Sequence, residues 1–193
     1  MDAHEQLSVL AQCRQNFIDT LDANGQYPIK AAGVEIFQMN ICRKCNLFCK
    51  HCHVDAGPHR TEMMSHSLME SCLGILRDNK ISTIDITGGA PEINSHLEWF
   101  LDEASQLKRR LIVRSNLTLL LENEYRHFID VYVRNKVEIV TSLPHYKAEG
   151  TDGQRGKCAF TTIIEVIKKL NARGYGKENS GLVLNLVHNP TGF

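Results

Sequence analysis

Four cysteines fall within eleven residues: Cys42, Cys45, Cys49 and Cys52, followed at once by His53. Cys13, Cys72 and Cys158 bring the total to seven. An odd count with such crowding makes a poor disulfide framework and suits thiolate chemistry in a reducing compartment. Zinc held by four cysteines ordinarily takes two Cys-x-x-Cys knuckles set about a dozen or more residues apart. Only three residues separate Cys45 from Cys49, too few to fold a second knuckle across one ion, although His51 and His53 could stand in as zinc ligands. A cubane iron–sulfur cluster is larger, and several thiolates of one short loop can wrap it. Spacing alone favours the cluster and leaves zinc as its rival.

A loop of this kind has to be held by regular elements. Val34 to Ile41 reads as a buried strand leading into it, and a helix follows over 65–78 with Ser65 as N-cap. Ile81 to Thr87 is a strand ending in Gly88-Gly89. Ser95-His96-Leu97-Glu98 has the form of a capping box, opening a helix to about Lys108. Arg110 to Ser115 is the third strand, and Leu119 to Val133 is largely helical. Lys136 to Ser142 is the fourth strand. Phe160 to Ala172 is a helix closed by Gly174, and Leu182 to His188 the fifth strand. Strand alternating with helix implies a parallel sheet with right-handed crossovers, its apolar strands buried on both faces. Ligands in such sheets sit at the carboxyl ends of the strands, where the cysteine loop, Gly88-Gly89, Asn116, Ser142 and His188 all fall. Ahead of the sheet, residues 5–22 carry Leu7, Leu10, Cys13, Phe17 and Leu21 at helical spacing and read as a packing arm or lid. No internal repeat or low-complexity tract interrupts the pattern.

Cys45-x-x-x-Cys49-x-x-Cys52, in a loop after the first strand of a βα repeat, resembles the radical S-adenosylmethionine (SAM) superfamily. The resemblance implies that these three thiolates hold three irons of a [4Fe–4S] cluster, leaving the fourth iron open to the amino and carboxylate groups of SAM. It implies that His51 packs near the adenine. Thr87-Gly88-Gly89-Ala90-Pro91-Glu92 is similar to the superfamily's Gly-Gly-Glu motif, with Ala90 at the third position and the nearest acid, Glu92, two residues later. The backbone of Gly88, Gly89 and Ala90 is then expected at the methionine ammonium, with Glu92 a candidate for charge pairing. Asn116 and Ser142 are candidates for the carboxylate and ribose of SAM. Arg114 would clamp the carboxylate or form a salt bridge at the sheet rim. His145 would face the same mouth as a proton carrier. Cys42 is read as buried or facing substrate, Cys72 and Cys13 as core, and Cys158 as bystander or functional thiol.

The run Cys45 to Pro58, Arg60 to Ser65, Arg114 to Thr118, Ser142 to Tyr146, Gln154-Arg155-Gly156 and Leu184 to Pro190 together resemble the arsenosugar-biosynthesis radical SAM proteins, the ArsS-like, Cys-rich group. That resemblance implies a transferase joining a 5′-deoxyadenosyl group to dimethylated trivalent arsenic. It implies an external reductant such as flavodoxin or ferredoxin, with dimethylarsenite as the small-molecule substrate. Ser115 and His145 stand where cysteines are expected in that group. The fold expected is a partial (β/α)6 radical SAM barrel at residues 33–193, its last βα unit absent, behind an N-terminal helical extension at 1–32. A radical SAM enzyme acting on a peptide or other small molecule and a truncated, non-catalytic metal-binding module are the alternatives.

Composition narrows the classes. The chain has 193 residues, 42% of them hydrophobic, enough for a substantial core. Lys plus Arg is 22 and Asp plus Glu is 22, a balance that speaks against a dedicated nucleic-acid binder. No apolar run approaches the length of a membrane span, and the first residues carry no secretory signal pattern, so a cytoplasmic protein is expected.

Overall fold

A computed structural model describes residues 2–12, 16–50 and 52–188. The chain divides into two compact units, Met1–Val34 and Glu35–Phe193. In the first, helix α1 (Ala3–Ala11) opens with a reciprocal capping box between Asp2 and Glu5 and closes at Gln12. Helix α2 (Phe17–Ala23) opens at Asn16, whose side chain accepts the Ile18 N–H at 3.0 Å. Two sets of caps therefore replace the single helix predicted over 5–22. The apolar face foreseen for packing is exposed at Leu7, Leu10 and Phe17. Cys13 lies outside the described residues.

The second unit is a five-stranded parallel sheet in the order β1 (Ile36–Asn40), β2 (Thr83–Thr87), β3 (Arg110–Arg114), β4 (Glu138–Ser142) and β5 (Leu184–Val187). Between the strands run α3 (His66–Asp78), α4 (Leu97–Ser105), α5 (Phe128–Arg134), α6 (Ala148–Arg155) and α7 (Ala159–Ala172). Each crossover advances one strand in the same direction. Right-handed crossovers that never reverse put every helix on one face, which is barrel winding rather than doubly wound winding. The fold is α/β, a partial TIM-like barrel.

Side-chain alternation makes the two faces of the sheet different. Met39, Ile84, Ile86, Leu111, Val113 and Ile139 point outward and are buried against Met69, Leu73 and Leu76 of α3, Leu97 and Phe100 of α4, and Ile163, Val166 and Leu170 of α7. Each fully buried side chain of this size contributes about 1.5–3 kcal/mol by removal from water. The other face carries the charged side chains of the sheet beside Ile112 and Val140. Gln38 and Arg114 both donate to Asp85, and Arg110 and Asn185 both donate to Glu138. Inside the sheet, β2 is buried on both faces as expected. The expectation is corrected for β1 and β5, which form the two edges of the sheet and are largely exposed, with Met39 the one buried residue of β1.

Element boundaries depart from the sequence reading in three places. Ser95 does not cap α4: His96 holds that position without a side-chain bond, and its N–H donates to Asn94 Oδ1 at 2.9 Å. The stretch expected as one helix over 119–133 breaks into a 3-10 turn at Thr118–Leu121 and α5. Helix α6 was not foreseen, because Gly150 and Gly153 within it lower helix propensity and few of its residues are apolar. Ser65 does cap α3, and Gly174, at φ +108°, follows α7 where expected.

Candidate active site

The cysteine loop leaves the end of β1 and folds back on itself before α3. Cys42 forms an antiparallel bridge with Met63, and Lys44 a parallel bridge with Gly57. Asn94, fully buried, donates its amide to the carbonyls of Ile41 and Met64 at 3.1 Å each and so pins both ends of the loop. Arg43 reaches across to the Val54 carbonyl at 3.0 Å and to Asp55 and Glu62. From the β2 side, Gly89 N–H donates to the Cys42 carbonyl at 2.8 Å and Ala90 N–H to the Lys44 carbonyl at 3.0 Å. From the far side, Lys50 N–H donates to the Gln154 carbonyl of α6 at 3.1 Å.

Gly88 and Gly89 are glycines for steric reasons. A Cβ on Gly88 would lie 2.6 Å from the Cys42 carbonyl oxygen, and one on Gly89 would collide with the backbone of Lys44. The close approach of two backbones here sets the loop against the carboxyl end of β2.

A cavity of about 340 Å³ opens at the carboxyl ends of the strands. Cys45, Cys49 and Cys52 line it together with Gly88, Gly89, Arg114, Ser115, Asn116, Ser142 and Arg155. Backbone and side-chain N–H groups point at the sulfurs. Cys45 Sγ accepts from Leu47 N–H at 3.4 Å and from Asn116 Nδ2 at 3.5 Å, and Cys52 Sγ accepts from Ala56 N–H at 3.3 Å. Burial pushes the Cys45 and Cys49 thiols above their ordinary value; the bonds from Leu47 and Asn116 oppose this at Cys45, and the charge of Arg155 opposes it at Cys49. Among the described residues, no three His, Cys, Asp or Glu side chains converge closely enough to hold one metal ion. A cubane takes its thiolates from farther apart.

The sequence model of the radical SAM superfamily matches residues 39–190, most of the chain and all of this loop. The chain belongs to the radical SAM superfamily. Radical SAM proteins use a [4Fe–4S] cluster and SAM. The bacteriocin subtilosin biosynthesis protein AlbA of Bacillus subtilis is 27% identical over 135 residues, 69% of this chain and 30% of AlbA. Streptococcus suis SuiB bound to its precursor peptide SuiA superposes with a TM-score of 0.61 at 18% identity, over 80% of this chain and 33% of SuiB. SuiB bound to S-adenosylmethionine gives 0.59 at 19% identity, with the same two shares. The structural likeness is one of fold, and the chain spans about a third of the length of each of these proteins.

Against this radical SAM frame, the residues foreseen from sequence fall into three groups. Cys45, Cys49, Cys52, Gly88, Gly89, Asn116 and Ser142 share the cavity. Asn116 is already bonded there, donating to Cys45 and Asn46 and accepting from the Thr118 N–H and hydroxyl. Arg114 also lines the cavity, but its Nε and Nη2 are engaged by Asp85 at 2.8–3.1 Å, so the salt bridge has taken the fork expected for the SAM carboxylate.

Ala90 and Glu92 are corrected. Ala90 is fully buried away from the cavity lining, and its carbonyl accepts the Cys42 thiol at 3.3 Å. Glu92 is buried as well and accepts from Ser115 Oγ and from Tyr132 OH. Burial pushes its carboxyl above the ordinary range, opposed by those two donors. A carboxyl turned into the core cannot meet the ammonium of a ligand in the cavity.

Cys42 is a core thiol, pushed up to about 11 by burial, and Cys72 is buried beside it in the same core. Cys158 is exposed at the N-cap of α7 and lies outside the cavity lining, as does His145. His51 lies outside the described residues. Two residues were missed as site members: Asn94, which was not singled out from sequence, and Arg155, whose Gln-Arg-Gly run was noticed only as family likeness. No helix among the described residues is long and apolar enough to cross a membrane.

Proposed function

We propose that this chain is the SAM-cleaving core of a radical SAM enzyme, with Cys45, Cys49 and Cys52 as the cluster ligands. The observation that carries this is the meeting of three N–H-supported or cation-facing cysteines with Gly88, Gly89 and Ser142 in one cavity at the strand ends. A [4Fe–4S] cluster held by these three cysteines would supply the electron for reductive cleavage of SAM into methionine and a 5′-deoxyadenosyl group. The chain's own part is binding and orientation. Asn116 and the Leu47 and Ala56 amides hold the sulfurs, Gly88 and Gly89 let a ligand approach backbone, and Ser142 offers a hydroxyl at the mouth. The apolar wall of Leu47, Val54, Val140 and Val187 restricts water beside the reacting group.

The motif likeness over Cys45–Pro58 and the strand-end runs supports dimethylated trivalent arsenic as the acceptor, in arsenosugar biosynthesis. Soft arsenic prefers thiolate partners, and among the described residues every cysteine lining the cavity belongs to the cluster set. A peptide acceptor is the second reading, favoured by the names of two relatives: AlbA serves bacteriocin biosynthesis and SuiB binds a precursor peptide. Anaerobic incubation of the reconstituted protein with SAM, dithionite and either dimethylarsenite or a precursor-type peptide separates them. Arsenic-bearing deoxyadenosine supports the first; a modified peptide with free 5′-deoxyadenosine supports the second. No deoxyadenosine product in either arm would contradict SAM cleavage by this chain.

A further inference from the structure

Arg155 ends α6 and lines the cavity with only 7% of its surface exposed. Its Nε and Nη1 have no hydrogen-bond partner among the described residues. A guanidinium keeps its charge in proteins, so burying one without acceptors leaves an unmet demand for negative charge. No carboxylate lines the cavity among the described residues, and the second guanidinium there, Arg114, is already held by Asp85. The groups that can answer Arg155 are sulfurs. Burial pulls its pKa down, while Cys49, Cys45 and Cys52, once deprotonated, each oppose that. The Lys50–Gln154 backbone bond holds α6 against the segment between Cys49 and Cys52, which sets Arg155 in the same cavity wall as those cysteines.

We propose that Arg155 is a positioning residue whose fixed charge compensates the thiolates of Cys45, Cys49 and Cys52 and raises the reduction potential of the cluster they hold. This rests on the reading of those cysteines as cluster ligands. Reduction adds one electron from an external donor, and no bond is made or broken. The reduced cluster is more negative by one charge, so a nearby buried cation stabilises it more than the oxidised form. Lysine could supply the same sign of charge, but it loses its proton more readily when buried.

The test is a dithionite titration, followed by electron paramagnetic resonance, of wild-type protein reconstituted with iron and sulfide, alongside Arg155→Gln, Arg155→Leu and Arg155→Lys. Both neutral variants are expected to shift the midpoint to more negative potential, with the lysine variant between them and wild type. Either neutral variant that folds, judged by circular dichroism, decides the matter. A folded neutral variant that takes up no iron, beside a lysine variant that does, also supports the charge role. An unchanged midpoint in a neutral variant overturns it, and so does an unchanged midpoint with weakened SAM binding, which would assign the guanidinium to the SAM carboxylate. Wild-type protein that assembles no cluster would instead overturn the assignment of the three cysteines.

Discussion

The side-chain amide of Asn116, at the end of β3, donates to Cys45 Sγ at 3.5 Å while its oxygen accepts from Thr118. One residue thus ties the third strand to the first of the three cysteines that line the cavity. Asn116→Ala removes this bond and takes partners from the Thr118 N–H and the Asn46 side-chain oxygen, with an expected loss of about 1–3 kcal/mol. Urea denaturation checks the stability. Bleaching of the cluster absorbance in air should be faster in the variant than in wild type.

Gly89 sits where the loop backbone and the β2 turn touch. Gly89→Ala forces its Cβ into the Lys44 carbonyl. A clash against backbone costs about 1–3 kcal/mol or more, and here it also pushes the loop from the cavity. Lower thermal stability together with reduced iron content is expected, whereas Gly153→Ala, which meets nothing within 4 Å, should show neither.

The Asp85–Arg114 pair supports the sheet's inner face and engages Nε and Nη2 of Arg114. Asp85 is nearly buried, so Arg114→Ala strands a carboxylate with only Gln38 as donor. About 1–3 kcal/mol should be lost. Asp85→Asn in that background removes the stranded charge and should recover part of the loss. A urea series on the two variants and wild type measures both steps.

Glu92 gives the stability a pH dependence. Its carboxyl pKa is raised in the fold by burial, so the folded chain holds the proton more tightly than the unfolded chain. The contribution is fully present below the ordinary carboxyl range and is lost as pH rises toward the raised folded value. Glu92→Gln stays neutral and can still accept from Ser115 and Tyr132. As pH rises from the ordinary carboxyl range, wild type should lose more stability than the glutamine variant in urea titrations. Equal slopes would mean that Glu92 is ionised in the fold.

Much of the fold was legible because the outward-facing apolar residues of each strand and the helix faces are periodic. Ile84 and Ile86, or Leu73 and Leu76, declare their burial by type and spacing. The inner face was not legible: Asp85, Arg110, Arg114 and Glu138 are polar residues in strands, and only the register shows that Arg114 answers Asp85 and Arg110 answers Glu138. The three cysteines stood out because they are crowded, and the radical SAM resemblance, not spacing alone, separated them from Cys42 and from a zinc site. Glu92 misled because a motif position does not reveal which way a side chain turns; Tyr132, forty residues away, decides that. Arg155 was hidden by α6, whose glycines disguise a helix.

Cys42 separates from the other loop cysteines on the same logic. Its thiol is buried in the core and donates to the Ala90 carbonyl, so Cys42→Ala should cost about 1 kcal/mol and leave iron content unchanged. Iron and sulfide assays across the four single variants check this: Cys45→Ala, Cys49→Ala and Cys52→Ala should each lose the cluster.

The most direct test of the account is the electron paramagnetic resonance spectrum of the anaerobically reconstituted, dithionite-reduced protein with and without SAM. A reduced [4Fe–4S] signal that changes shape on adding SAM, and is absent in Cys45→Ala, is the expected result. A protein that binds only zinc, or whose cluster signal is indifferent to SAM, would contradict an open-iron SAM site built on Cys45, Cys49 and Cys52.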